Sequence, residues 1–151
     1  MKCLVDTNLL LRSVQSSHPM SSMASSSIDA LLRKGDELFI APQTVVEFWC
    51  VATRPASSNG LGLSITETKD RIRAFRKTLM LLPETDGVFE SWEELVDKYE
   101  VIGKKVYDAR LVAAMLIHNV SHLLTFNDAD FRRFPEITVI NPQSIPEEET
   151  K

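Results

Sequence analysis

The chain has 151 residues and a mass of 17.0 kDa, with 44% hydrophobic and 25% charged residues, the size and mix of one globular domain rather than a disordered, collagenous or coiled-coil chain. Its net charge of −4 and pI near 5.4 exclude holding nucleic acid by bulk positive charge. They leave open a nuclease, whose carboxylates gather around a divalent cation.

Short apolar runs alternate with longer helical patterns, which predicts an α/β fold with a mostly parallel sheet. Cys3-Leu4-Val5 reads as a first buried strand and Asn8–Val14 as a helix. The Ser-rich stretch Ser13–Ser27 predicts a loop running into a second helix that ends at Gly35. Leu38-Phe39-Ile40 is a second strand closed by Pro42, and Val45–Thr53 an apolar helix. Arg54-Pro55 and Asn59-Gly60 mark a loop. Ser64-x-x-Glu67 is a capping box opening a helix with Ile65, Ile72, Phe75 and Leu79 on one face. Met80-Leu81-Leu82 is a short strand, and Ser91-x-x-Glu94 opens a helix toward Tyr99. Val106–His118 is the strongest helical pattern, followed by strand Leu123–Thr125, one or two helical turns over Asn127–Phe134, and a last strand Thr138–Ile140. These elements place one domain over residues 1–142 and an acidic tail over 143–151.

No apolar stretch is long enough to cross a bilayer, Leu111–Ile117 being the longest, and Met1-Lys2-Cys3-Leu4-Val5 leaves no signal-peptide core before Asp6. Cys3 and Cys50 both sit in apolar surroundings, as reduced core thiols of a cytoplasmic protein would. His118 and His122 flank a helix exit and cannot share one helical face.

Three acids interrupt runs that otherwise belong in a core. Asp6 follows the first strand and precedes Leu9-Leu10-Leu11. Glu47 lies between Val45-Val46 and Phe48-Trp49, and Asp108 stands in the opening turn of an apolar helix. An ionised carboxylate in such a place costs several kcal/mol (about 2–7 for even a neutral polar group) unless something satisfies it, and no lysine or arginine adjoins Glu47. Asp6, and Asn127 with Asp128, fall at strand ends, where parallel sheets collect ligands. Hard oxygen donors with few histidines or thiols favour Mg²⁺ or Mn²⁺ over zinc. Each acid also has a plain reading: Asp6, Asn8, Asp108 and Asn127 suit N-caps, and Thr44-x-x-Glu47 is itself a capping-box pattern.

Four blocks, Val5-Asp6-Thr7-Asn8, Glu47 in its apolar helix, Tyr107-Asp108-Ala109-Arg110-Leu111-Val112-Ala113-Ala114 and Leu124-Thr125-Phe126-Asn127-Asp128-Ala129-Asp130-Phe131, resemble the PIN domain. The loop from Arg54 to Ser64 and Trp92 before Leu95-Val96 resemble, more narrowly, the VapC-type toxins of bacterial toxin–antitoxin pairs. The likeness runs from Val5 to Pro142. It implies a three-layer α/β/α domain with a five-stranded parallel sheet and a Mg²⁺-dependent endoribonuclease that cuts by attack of water rather than of the RNA 2′-hydroxyl. It puts Asp6, Glu47 and Asp108 on the metal-binding acids and Asn127 on the fourth catalytic position. Asn127 carries no charge, and Asp128 or Asp130 is the alternative source of a fourth acid, so one or two metal ions remain open. Thr7 would orient Asp6 through its hydroxyl, Asn8 would support it, and Arg110 would meet substrate or a carboxylate. The implied partners are RNA, a small antitoxin protein and a second copy of the chain in a homodimer.

Lys69, Arg71, Arg73, Arg76 and Lys77 put five basic residues on one helix against Asp70, a pattern that a solvated face explains better than RNA contact. Two alternatives fail on spacing. A strand–Asp phosphotransferase needs a second acid where Asn8 stands, and Gly103-Lys104 lacks the other elements of a P-loop. A PIN-like module that binds RNA or protein without cutting is the remaining rival, since Asn127 weakens the acid set.

Overall fold

The computed structural model describes residues 1–146. Five strands, β1 (Lys2–Val5), β2 (Glu37–Ile40), β3 (Met80–Leu81), β4 (His122–Leu124) and β5 (Thr138–Ile140), form one sheet in the order β3-β2-β1-β4-β5, with every neighbouring pair parallel. Alternation along the central strands feeds two cores. Leu4, Phe39, Leu123 and Val139 point to one face, and Cys3, Val5, Leu38, Ile40 and Leu124 to the other.

Helices α1 (Thr7–Val14), α2 (Ser21–Arg33), α3 (Pro42–Thr53) and α4 (Ile65–Phe75) supply the second of these cores, through Leu9, Leu10, Ile28, Leu31, Phe48, Ala52, Ile72 and Phe75. Helices α5 (Val88–Lys98), α6 (Lys105–Ile117) and α7 (Asp128–Phe131) supply the first, through Leu95, Leu111, Val112, Met115 and Phe131. The layers are therefore helix, sheet, helix, as the resemblance implies. The chain steps from β1 outward to β2 and β3, then crosses to β4 and continues to β5 on the opposite side. Connections leave β1 and β4 in opposite directions, and that reversal opens a crevice at the carboxyl ends of these two strands.

Several boundaries depart from the sequence reading. The Ser-rich stretch is helical from Ser21, because Ala24, Ser27, Ile28 and Leu31 all lie buried on the face toward the sheet. Pro42 starts α3 rather than merely closing β2, as suits a residue whose missing N–H costs nothing in a first turn. Ser64 does cap α4, accepting from the Glu67 amide at 3.0 Å. Its core-facing stripe, however, is buried Thr68 with half-buried Ile72 and Phe75; Ile65 is exposed and Leu79 lies beyond the helix. Helix α5 begins one turn before Ser91, at Gly87, whose φ of +94° favours glycine. Cys3 is buried, which pushes its thiol up to about 12, but Cys50 is exposed on α3 rather than in the core.

The loop after α3 folds back on that helix. Amides of Leu61, Gly62 and Leu63 donate to the carbonyls of Val51, Arg54 and Ala52 at 2.8–3.0 Å, closing the helix end. Gly60 is required there, since a Cβ would sit 1.9 Å from the Arg54 carbonyl oxygen. At the other end of the chain, Pro142–Ser144 form a 3₁₀ turn and Ile145 packs on the α1–α4 core. Residues 147–151 of the acidic tail lie outside the described residues. No described helix is long and apolar enough to cross a membrane.

Candidate active site

Asp6 leaves the end of β1 as the N-cap of α1, with only 8% of its surface exposed. Its Oδ1 accepts from the Thr7 amide at 2.8 Å, and its Oδ2 accepts from the Thr125 hydroxyl at 2.8 Å and from Asn8 Nδ2 at 3.3 Å. Thr125, fully buried at the end of β4, is a hub. Its hydroxyl donates to Asp6 and accepts from Asn8 Nδ2 at 3.1 Å and from the Asn127 amide at 3.0 Å. Asn8 completes the tie by accepting from the Phe126 amide at 3.2 Å. The β1 and β4 ends are thus stitched together around one carboxylate.

Glu47 reaches this point from α3. Its Oε2 accepts from the Thr7 hydroxyl at 2.8 Å, and its Oε1 accepts from Gln43 Nε2, one turn earlier, at 2.9 Å. The same Gln43 amide donates to the Tyr107 carbonyl at 2.9 Å, which anchors α3 to the first turn of α6 beside Asp108. Thr7 therefore serves two acids, Asp6 through its backbone N–H and Glu47 through its hydroxyl, in place of the hydroxyl-to-Asp6 contact that the sequence suggests.

Electrostatics reflect the same convergence. Burial, with Glu47 and Asp108 adding repulsion, pushes Asp6 up to about 6 against the pull of its bonds from Thr125 and Thr7. Burial likewise raises Asp108 to about 6. Lys105 and Arg133 oppose that rise, while Asp130 and Glu47 add to it. None of the ion pairs among the described residues involves Asp6, Glu47 or Asp108. Among those residues, no three His, Cys, Asp or Glu side chains stand close enough to form a finished metal cage. Thr7 joins Asp6 to Glu47 and Gln43 ties Glu47 to the Tyr107 carbonyl, whereas Asp108 hydrogen-bonds neither acid among the described residues and is coupled to them only electrostatically.

The remaining candidates separate. Asp130 is ion-paired with Lys105 at 2.5 Å and faces Asp108 electrostatically. Asp128 is engaged by Arg132 at 3.3 Å and Asn141 at 3.4 Å, away from the three acids. Asn127 begins α7 with an exposed side chain that caps nothing; its backbone amide is what joins the network. Arg110 donates to Gln43 Oε1 at 3.3 Å and so acts on Glu47 through Gln43 rather than meeting a carboxylate. Nor do Thr44 and Glu47 form a capping box, since α3 already runs from Pro42 and the buried Thr44 hydroxyl has no partner. Sequence reasoning missed Thr125, Gln43 and Lys105. Gln43 carried a signal, its i,i+4 spacing to Glu47; the side-chain partners of Thr125 lie 117 and 119 residues away and left none.

Thr125→Val keeps the shape and removes the hub. It leaves Asp6 Oδ2 and the Asn127 amide short of partners, and denaturant unfolding should show a loss of about 2–3 kcal/mol.

These features define a doubly wound α/β domain with an acidic crevice at its switch point. Residues 3–137 match the PIN domain, and the chain belongs to that family. No curated protein matches the sequence significantly. Among solved structures, it is similar to VapBC2 from Rickettsia felis bound to a fragment of its promoter DNA (TM-score 0.71, 17% identity, 93% of this chain and 98% of that one). VapBC-1 from nontypeable Haemophilus influenzae is also similar (TM-score 0.70, 16% identity, 95% and 99%). So is VapC20 from Mycobacterium tuberculosis, described as a toxin that cleaves the sarcin-ricin loop (TM-score 0.57, 14% identity, 80% and 86%). At these identities the likeness is one of fold.

Proposed function

We propose that this chain is a Mg²⁺- or Mn²⁺-dependent endoribonuclease, the toxin of a cytoplasmic toxin–antitoxin pair. The observation that carries the reading is the buried Asp6 carboxylate, joined through Thr7 to Glu47 and set electrostatically against Asp108, with no ion-pair partner for any of the three among the described residues. Structural neighbours that are VapBC complexes support an antitoxin partner and the toxin role, and a homodimer belongs to the same reading.

The donor set suits a hard divalent ion. It is all oxygen, no ion pair among the described residues meets its charge, and burial has drawn two of its members toward protonation, a strain that a cation relieves. Asp6, Asp108 and Glu47 would hold the ion, which would have to draw together acids that here stand too far apart to share it. When bound, it supplies positive charge for a water nucleophile and for the phosphoryl oxygens during in-line attack. Thr125 and Asn8 fix the Asp6 carboxylate, Gln43 and Thr7 fix Glu47, and Arg110 steadies Gln43. Lys105 already neutralises Asp130, and Asn127 has no charge, which favours one ion over two.

The same two residues favour a second reading, a PIN domain that binds RNA or protein without cutting. Incubating the purified chain with RNA separates the readings. Cleavage that needs Mg²⁺ or Mn²⁺, stops with EDTA and leaves 5′-phosphates is the expected result. Intact RNA across a metal titration would leave only the binding module.

A further inference from the structure

We infer that the groove between α3 and α4 is a second RNA-binding surface, separate from the acids, where Trp49 stacks a base of a single strand and Lys69, Arg73, Arg76 and Lys77 hold its phosphates. The inference rests on the ribonuclease reading for the choice of RNA as the polyanion. The groove encloses about 570 Å³, with Val45, Trp49 and Ile72 as an apolar floor and the four cations around it.

Helical geometry sets it apart from the acidic crevice. On α3, Thr44 and Phe48 are buried toward the core and Val46 and Cys50 face outward. Gln43 and Glu47 occupy one flank and bond toward α1 and α6. Val45 and Trp49, at the same i,i+4 spacing, occupy the opposite flank and line the groove. A strand passing from groove to acids crosses one helix, roughly 10–12 Å wide, within reach of a few nucleotides.

The chemistry of the groove points to a polyanion with aromatic rings. Of its four cations, only Arg73 has an ion pair among the described residues, a 3.6 Å contact with Asp70. Residues 65–77, α4 and the turn after it, thus carry five basic residues against Glu67 and Asp70 on a chain whose net charge is −4. The other tryptophan, Trp92, spends its indole N–H on the Val106 carbonyl at 2.8 Å, whereas the Trp49 indole makes no such bond among the described residues. A half-buried ring lining a groove bordered by four cations, three of them without an ion pair among the described residues, offers a base a stacking face and its phosphates a counter-charge. An acidic protein segment would satisfy the cations without using the ring.

The test is binding of a labelled, mixed-sequence single-stranded oligoribonucleotide in EDTA, followed by anisotropy and tryptophan fluorescence, with a polyglutamate peptide as the competing probe. The cations are exposed, so a variant carrying Lys69→Gln, Arg73→Gln, Arg76→Gln and Lys77→Gln should fold normally. It should bind RNA at least tenfold more weakly, with the slope of log affinity against log salt smaller by about 3. RNA should quench fluorescence in the wild type and not in Trp49→Phe. Equal affinity and slope in the two proteins would overturn the inference, as would quenching by polyglutamate but not by RNA. Cleavage is measured apart. A chain that cuts RNA in Mg²⁺ yet binds it equally with and without the four cations loses the groove alone. One that never cuts RNA but depends on the groove to bind it loses the enzyme reading alone.

Discussion

Asp6→Asn should abolish RNA cleavage, lowering the rate by about three orders of magnitude or more, and leave the fold in place. On the proposed mechanism the substitution removes a charged oxygen from the ion's grip, and metal assistance is worth several kcal/mol, with each 1.4 kcal/mol a factor of about ten. The fold survives because the acceptor facing the Thr7 amide is retained. Meanwhile the burial that disfavours a carboxylate at this position no longer opposes folding. Single-turnover cleavage alongside thermal unfolding checks both halves. Loss of activity through loss of structure would appear as a lowered melting temperature at neutral pH, which this account does not expect.

The second large effect is an inverted pH dependence of stability. In the folded chain Asp6 takes up its proton at about 6 rather than 3.8. Between those values the folded state therefore binds more protons than the unfolded one at this site, so the contribution of Asp6 to stability is greatest below about pH 4. It is lost as pH rises to about 6, and stays level above that. A tenfold change in proton affinity is worth about 1.4 kcal/mol, so keeping this buried carboxyl ionised at neutral pH costs the folded chain about 3 kcal/mol. Asp108 adds less, because solvent reaches it. Asp36, Asp128 and Glu136, whose carboxyls are held below their ordinary values, contribute stability that is lost as pH falls below 4.5, at the acid end of this window and beyond it. Urea unfolding of metal-free protein at pH 4.5 and 7.5 reads the difference directly. In Asp6→Asn most of it should vanish, and an equal slope in the two proteins would mean that Asp6 is not the group responsible.

Much of this fold can be read along the chain because its strands are short apolar runs that end on turn residues. Cys3-Leu4-Val5 and Leu123-Leu124 are buried on both faces and sit where the patterning puts them. The acids were legible for the complementary reason: Asp6, Glu47 and Asp108 are charges where apolar residues belong. The first half of helix α2 was hidden because serine has little helix propensity and the pattern Ala24, Ser27, Ile28, Leu31 is thin. Packing against the sheet overrides propensity there, and the buried Ser27 hydroxyl turns back to the Ala24 carbonyl at 2.9 Å. Ser91 misled because a capping-box spacing recurs by chance within a helix that a left-handed glycine had already opened.

The details of the site were less accessible. That Thr7 spends its hydroxyl on Glu47, that Gln43 joins α3 to α6, and that Lys105 takes Asp130 all depend on helices from opposite layers meeting above the sheet. No local pattern encodes that meeting. It follows from strand order, which puts β1 between β2 and β4 and so brings the ends of distant segments within hydrogen-bonding distance.

Calorimetric titration of Mn²⁺ into the purified chain at pH 7.5 tests the central claim most directly, with Asp6→Asn as the comparison. The account predicts one ion bound by the wild type, weaker binding as the pH falls through about 6, and none bound by the variant. No heat of binding in the wild type, or the same binding in both proteins, would contradict it.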